Sequence, residues 1–133
     1  APAASEVQRS WATNVNGNRT TAVTGADATA IGSGYQNTVD VKNQTGNVAA
    51  TSAAVYAFDY TNNGKSDWHL PSKDELNQLY EQKATVGGFS LDGYQSSSEF
   101  DANLAWAQSF SNGNWNGNGK GTTSIVRPVR AFG

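Results

Sequence analysis

The side chains best suited to chemistry in this 133-residue chain are one histidine and a few acids. His69 could be combined with Asp67 and the serines at 96–98 as a hydrolytic triad, but a triad is recognised by geometry and the spacing supplies none. Glu99 and Asp101 could form a carboxylate pair for glycoside hydrolysis, although two acids in a loop are more often simply solvated. We therefore predict no catalytic residues and no enzymatic activity.

Metal binding has a weak basis in the sequence. The chain has no Cys and one His, so the usual zinc sites with nitrogen and sulfur ligands cannot be built. Asp59, Asn62, Asn63 and Asp67 offer oxygen ligands for Ca²⁺, but they lack the EF-hand spacing, and Asn and Asp also favour turns for conformational reasons. We predict no metal site and no required cofactor, with Ca²⁺ left open as the less favoured alternative.

A tryptophan in an unusual setting indicates binding instead. The segment SNGNWNGNGKG at 111–121 surrounds Trp115 with Asn and Gly and has no apolar neighbour nearby. An aromatic ring among amides and Lys120 can stack on a sugar or anchor a protein interface. A loop with one Trp packed against the body of the protein is the alternative reading.

The composition limits the kind of partner. Hydrophobic residues make up 37% of the chain and charged residues 15%, and the formal net charge is −2. Such a chain has no long-range field to attract a polyanion, so we predict no nucleic-acid partner. No stretch approaches the roughly 20 apolar residues of a membrane span, so we predict no membrane insertion. The length predicts one domain, 1–133, within a longer parent protein.

The first half of the chain predicts one hairpin and one helix. β-favouring residues flank Asn16-Gly17, which indicates a hairpin over 9–24. The segment 25–46 is predicted to be irregular. Asn47 is predicted to cap a helix that runs to about Tyr60.

The second half has clearer signals. Ser72 and Glu75 form a capping-box pattern at the start of a second helix, with Leu76 and Leu79 on its buried side. Short strands follow in GYQSSSE, LAWAQSF and SIVRPVRAF, with a turn at 112–113 between the last two. The predicted fold is therefore α+β, with two helices and a small, mainly antiparallel sheet. The predicted core residues are Trp68, Leu70, Leu76, Leu79, Trp106, Phe110, Val126, Val129 and Phe132.

Several ordered motifs in residues 67–132 carry a family resemblance. They are DWHLPSKDELNQLY, GGF, GYQSSSE, AWAQSFSNG and VRPVRAF, and together they resemble the lectin-like C-terminal domain family of bacterial collagen-like adhesins. The chain departs from that pattern at Gln95, where the family usually has Trp. The resemblance implies a C-type-lectin-like fold, in the branch that also contains formylglycine-generating enzymes, whose active-site cysteines are missing here. It also implies an extracellular or cell-surface location and a homo-oligomer, such as a trimer.

A second resemblance concerns variability. The segment 96–130 looks like the variable regions of diversity-generating retroelement proteins, in which Asn codons are rewritten through their adenines. Many residues here are reachable from an Asn codon, whereas Trp115 is not. The ordinary adhesin therefore remains the alternative.

We predict a non-enzymatic domain that binds a glycan or protein ligand through a broad, uncharged polar face with aromatic anchors, to which Lys120 adds a local positive charge. A structural or assembly module of a cell envelope or appendage is the alternative. The predicted ligand-binding residues are Phe100, Asp101, Asn103, Leu104, Ser109, Ser111, Asn114, Trp115, Asn116, Asn118, Lys120 and Thr122.

Overall fold

The protein has an α+β fold, as predicted, with four helices and one five-stranded sheet among the described residues. The computed structural model describes residues 6–15, 17–23, 26–61, 67–90 and 92–130. The elements are β1 (Val7–Arg9), α1 (Gly34–Lys42), α2 (Ala53–Asp59), α3 (Lys73–Glu81), α4 (Lys83–Val86), β2 (Gly93–Glu99), β3 (Leu104–Ser109), β4 (Trp115–Gly119) and β5 (Ser124–Val126).

The sheet has the strand order β1-β5-β2-β3-β4, so β4 lies at one edge. All neighbouring strands are antiparallel except β2 and β5. The β2–β3 register shifts between Gln95 and Glu99. At this bulge the backbone of β2 turns to other segments, since Ser97 N–H donates to the Pro71 carbonyl and Glu99 N–H to that of Ala26, both at 2.7 Å.

The capping box at the start of α3 is confirmed. Ser72 Oγ accepts from the Glu75 backbone N–H at 3.3 Å, and Glu75 Oε1 accepts from the Ser72 N–H at 2.9 Å. The pair satisfies two donors that the first turn would leave unpaired. Leu76 follows on the buried side of the helix, as the spacing predicts.

The strands predicted in the second half are also confirmed in β2, β3 and β5, and the turn between β3 and β4 lies at 112–113. Gly113 has a φ of 80°, a conformation that costs glycine little. The segment WNGNG that follows this turn, for which the sequence predicts no strand, is strand β4, because it continues the antiparallel ladder from β3.

The hairpin predicted over 9–24 is wrong. Asn16 lies outside the described residues, but β1 pairs with β5 rather than with a following strand, and 17–21 form turns and a bend. The competing partners are distant in sequence: the N–H groups of Trp11 and Ala12 both donate to the Lys120 carbonyl. Long-range pairing overrides the local Asn-Gly signal here.

Two helix predictions in the first half need correction. Helix α1 lies within the segment predicted to be irregular. Its buried side includes the polar residues Asn37 and Thr38, so the sequence lacks the apolar period from which a helix is predicted. Thr38 Oγ1 donates to the Gly34 carbonyl at 2.7 Å, which satisfies that hydroxyl. Helix α2 starts at Ala53 rather than after Asn47, whose amide instead donates to the Val41 carbonyl.

Two apolar clusters pack on opposite faces of the sheet. Neighbouring strand residues point to opposite faces, and Ile125 belongs to one cluster whereas Val126 belongs to the other. Leu76 of α3 packs with Tyr94, Phe110 and Ile125 on one face. The other cluster contains Trp11, Ala12, Val23, Ala26, Val41, Ala53, Ala54, Ala57, Leu70, Ala105 and Val126.

The predicted core is largely confirmed. Trp68, Leu70, Leu76, Phe110 and Val126 are buried. Leu79, Trp106 and Val129 are only partly buried, and Phe132 lies outside the described residues. The half-buried position of Trp106 is a correction that bears directly on the site.

Candidate functional site

The β3–β4 hairpin places alternate residues of the Asn/Gly segment on different faces of the sheet. The register pairs Gln108 with Trp115 and Trp106 with Gly117. Trp115 and Gly117 therefore share a face with Trp106, whereas Asn116 and Asn118 share the face of the buried Ala105 and Ala107. The single polar face predicted from the sequence is in fact divided between two faces.

An aromatic surface lies near the β4 edge of the sheet, on the same face that α3 covers closer to the centre of the sheet. It consists of Phe100, Leu104, Trp106, Trp115 and Gly117, and we call it the aromatic ledge. The Phe100 and Trp106 ring centroids are 4.6 Å apart in an edge-on arrangement, and those of Trp106 and Trp115 are 6.3 Å apart. Phe100 remains 49% exposed, and Trp115 is partly buried.

Lys73, the first residue of α3, places a cation over this surface. Its Nζ lies 4.1 Å from the Trp106 ring centroid and 5.1 Å from that of Trp115. Both distances fall within the range for attraction between an ammonium group and an indole face. Sequence reasoning missed Lys73, since a lysine at a helix start carries no signal of what it contacts. The position of Trp106 could have been predicted, because the small residues on either side of it, Ala105 and Ala107, indicate that the close-packed face of the strand is the one opposite Trp106.

Glycine keeps the centre of the ledge open. A Cβ at Gly117 would meet Leu104 Cδ1 at 3.4 Å and Phe100 Cδ2 at 3.5 Å, which are ordinary contacts. A larger side chain would cover the gap between the rings. The glycine therefore exposes aromatic surface that most other residues would shield.

The predicted polar residues surround the ledge in two groups. Asp101 and Asn103 are exposed in the connection between β2 and β3, where Asp101 Oδ1 accepts from the N–H groups of Asn103 and Leu104, each at 2.8 Å. At the other end, Ser109 and Ser111 join their hydroxyls at 2.8 Å beside the exposed Asn114.

The remaining predicted residues lie away from the rings. Asn116 is exposed and Asn118 partly buried on the opposite face, and Thr122 is exposed in the turn after β4.

The prediction that Lys120 adds positive charge to the binding surface is wrong. Lys120 is 1% exposed, and its Nζ lies 2.5 Å from Glu99 Oε1, 3.0 Å from the Thr21 carbonyl and 4.6 Å from the Trp11 ring centroid. The strand alternation explains this, because even-numbered residues here point toward the cluster that contains Trp11. Lys120 is a structural cation.

His69 is buried among structural groups. Its Nε2 lies 3.6 Å from Glu75 Oε1, and its ring meets Tyr35 edge-on. Of the three serines considered for a triad, Ser96 Oγ donates to the Trp106 carbonyl at 2.6 Å and Ser98 Oγ to that of Ala28 at 2.7 Å. These two hydroxyls therefore donate to backbone carbonyls rather than to His69.

His69 and Glu75 line a 510 Å³ groove with mostly apolar walls, which include Ile31, Pro71 and Leu79. Partial burial disfavours the charged form of Glu75, but the nearby His69 and the hydrogen bonds from the N–H groups of Ser72 and Gly32 outweigh it. The pKa of Glu75 is therefore lowered to about 2.

This low pKa predicts a loss of stability in acid. A depressed carboxyl pKa stabilises the fold above its unfolded value near 4.5, and the stabilisation is lost as pH falls toward about 2. We expect Glu75→Gln to cost about 1 to 2 kcal/mol at pH 7, after allowance for solvent screening, and nothing below pH 2. Urea unfolding across that pH range measures the difference. Glu81→Gln, in the last turn of the same helix, is the control. An unchanged cost at low pH would contradict this account.

Two of the four oxygen ligands considered for Ca²⁺, Asp59 and Asp67, lie among the described residues. Asn62 and Asn63 lie outside the described residues, and Asp67 forms a two-oxygen pair with Arg130 at 2.7 and 3.0 Å. Within the described ranges, no group of three or more acidic or histidine side chains could hold a metal ion.

One comparison with known protein families gives a match that covers nearly the whole chain. The sequence pattern of the Lcl C-terminal domain matches residues 5–130. The chain belongs to the Lcl C-terminal domain family. This match includes α3 with its capping box and the entire ledge, and it makes the protein an adhesin-like domain. No curated protein matches the chain. In the part of the Lcl-type domain that the structure describes, no helix has the length and apolar character needed to cross a bilayer.

Proposed function

We propose that this Lcl-type domain binds a glycan or protein ligand, without catalysis, on a cell surface or outside the cell, and that the aromatic ledge is the contact surface. The observation that carries the proposal is the grouping of Phe100, Trp106 and Trp115, with the Lys73 cation over the two indoles, next to a glycine that leaves the rings uncovered. Each ring belongs to a different part of the chain, so the fold assembles the surface.

The ledge supplies two kinds of recognition. Partly exposed aromatic rings give large apolar contact with little loss of side-chain entropy, and they suit both the flat face of a sugar and an apolar protein anchor. Lys73 adds an ammonium group that can donate to a ligand oxygen while it stays over the indoles. The combination favours a ligand with an apolar face and an acceptor at its edge.

The exposed amides and hydroxyls at the ends of the ledge add modest selectivity. Asp101 and Asn103 lie beyond Leu104, and Ser111 and Asn114 lie beyond Trp115. Hydrogen bonds exchanged with water contribute about 1 kcal/mol each, so these groups orient a ligand more than they hold it. A single domain is therefore expected to bind weakly, and several copies on one parent protein would raise the avidity.

The proposal extends to diversification of this surface by a retroelement. Exposed residues such as Asp101, Asn103, Asn114 and Asn116 could vary at little cost to folding, whereas the buried Lys120 could not. Sequencing the gene from several isolates tests this. Changes at adenine positions that cluster at the exposed residues and spare residue 120 are expected; an invariant segment would leave an ordinary adhesin.

Trp115→Ala is expected to weaken ligand binding at least tenfold, because a partly exposed aromatic anchor in a contact surface usually carries a large share of its energy. The ligand is first found on glycan and protein arrays, and affinity is then measured by titration. The free energy of unfolding should fall by only about 1 to 2 kcal/mol, since one side of the ring already faces solvent.

Ile31→Ala is the matched control, because Ile31 is 64% exposed and apolar but lies outside the ledge. It should leave both affinity and stability nearly unchanged. Equal affinity of Trp115→Ala and the parent protein for an array ligand would show that the ledge is not the contact surface.

A further inference from the structure

Strand β4 is an unprotected sheet edge. It pairs with β3 on one side and ends the strand order of the described sheet. Its sequence WNGNG contains neither proline nor a charged residue, which are the usual means of keeping an edge from pairing with another strand. Asn116 and Gly117 at its centre are exposed.

The hydrogen-bond pattern shows which backbone groups of β4 face outward. Ser109 N–H donates to the Asn114 carbonyl, and Lys120 N–H donates to that of Asn103, in the same register as the rest of the hairpin. Bonded pairs alternate along an antiparallel ladder, so the even-numbered residues of β4 bond to β3. The N–H and C=O groups of Trp115, Gly117 and Gly119 therefore point away from the sheet. The Gly119 carbonyl already accepts from Thr122 N–H at 2.9 Å, and its second lone pair is available.

We propose that this edge pairs with β4 of a second copy of the chain, antiparallel about a two-fold axis at Gly117. In that register Gly117 faces Gly117 of the second copy, and Trp115 faces its Gly119. Three residue pairs then form, and each exchanges two backbone hydrogen bonds. The two sheets join into one, with the two ledges side by side.

The side chains of β4 fit their own copies in this register. Each Trp115 lies beside a glycine, so the indole meets no opposing side chain and can cover the exposed glycine backbone. On the other face each Asn116 lies beside Asn118 of the second copy, where two amides can donate and accept in turn. A foreign strand would need to reproduce this alternation, whereas a second copy supplies it by symmetry.

Charge favours the antiparallel arrangement as well. Lys73 Nζ lies 4.1 Å from the ring of Trp106, which pairs with Gly117, and 5.1 Å from the ring of Trp115, so it lies between the middle of β4 and its Trp115 end. Asp101 lies near the other end, where its Oδ1 accepts from the N–H of Leu104, the residue paired with Gly119. The two-fold arrangement brings the Lys73 end of one copy toward the Asp101 end of the other, and a parallel arrangement would place like charges together.

Sedimentation equilibrium and light scattering over a range of protein concentrations test the proposal. The mass should rise from 14.0 kDa toward twice that value. A trimer, the homo-oligomer that the family resemblance implies, would overturn the two-fold arrangement. Gly117→Pro removes the outward N–H and leaves the bonds to β3 intact, so it should raise the dimer dissociation constant about tenfold to a hundredfold. Circular dichroism and thermal unfolding of each variant confirm that the monomer is folded.

Gly117→Ala is the matched control, since its methyl group fits at 3.4 Å from the nearest atom and keeps the N–H. It should dimerise like the parent chain. Hydrogen exchange at the Trp115 and Gly117 amides should slow with protein concentration. A constant mass of 14.0 kDa would overturn the proposal, and it is also the result expected if the edge accepts a peptide from another protein instead. A dimer that Gly117→Pro leaves unchanged would overturn it too, as would an equal weakening of the dimer by Gly117→Ala.

Discussion

Replacing Lys120 with alanine is expected to destabilise the fold by about 3 to 5 kcal/mol, because it leaves the buried carboxylate of Glu99 without its cation. Glu99 is 6% exposed and Lys120 1%, so water cannot replace the lost partner. The same carboxylate accepts from Val23 N–H at 2.9 Å, and Lys120 Nζ reaches the Thr21 carbonyl. The ion pair therefore connects the loop at 21–23 to the sheet, and that loop should lose its order with the pair.

Urea unfolding of the single and double variants measures this effect. Glu99→Gln combined with Lys120→Met removes both charges at similar volume and should recover much of the loss. Lys42→Ala is the control, since Lys42 also lies over a ring, that of Phe58 at 5.0 Å, but is only partly buried. If Lys120→Ala cost no more than Lys42→Ala, the ion pair would have no structural importance.

Trp11→Ala should be about as damaging, at roughly 3 to 5 kcal/mol. Trp11 is fully buried, and its Nε1–H donates to the Ser96 carbonyl at 3.1 Å. Removal of the ring leaves a cavity in the larger apolar cluster, an unsatisfied carbonyl, and no aromatic face beneath the Lys120 ammonium.

The comparison with two other variants separates these terms. Trp11→Phe keeps most of the ring but loses the donor, and about 1 to 2 kcal/mol is expected. Trp115→Ala should cost no more than that, because its ring is only partly buried. Thermal unfolding of the three proteins gives the ranking, and similar melting temperatures for Trp11→Ala and Trp115→Ala would contradict it.

Local signals in the sequence predicted the elements whose stability is itself local. The capping box at Ser72 and Glu75 is complete within four residues, and the β3–β4 turn at Gly113 needs only one left-handed residue. Helix α1 depends instead on distant partners: Leu70 N–H donates to Thr38 Oγ1 at 3.0 Å, and the Asn37 amide donates to Ser98 Oγ at 3.5 Å. No window of sequence contains those partners.

The candidate site follows the same division. The alternation of β4 could be derived from the pattern once a strand is assumed, and it would have placed Trp115 and Asn116 on opposite faces. The burial of Lys120 could not be derived from the pattern, because it requires Glu99, Thr21 and Trp11 to meet around one ammonium group. Composition alone had suggested a solvated lysine in a polar loop.

The bulge divides β2 into two parts that have different hydrogen-bond partners. Before it, β2 forms the ladder with β3; after it, the Ser97 and Glu99 N–H groups and the Ser98 hydroxyl hold the segments around Pro71, Ala26 and Ala28. The irregular half of the molecule is thus anchored on residues that precede the outer hairpin. Substitutions in the ledge can therefore leave the hydrogen bonds that hold the long loops intact. A substitution of Lys120 cannot, because it removes the ion pair with Glu99.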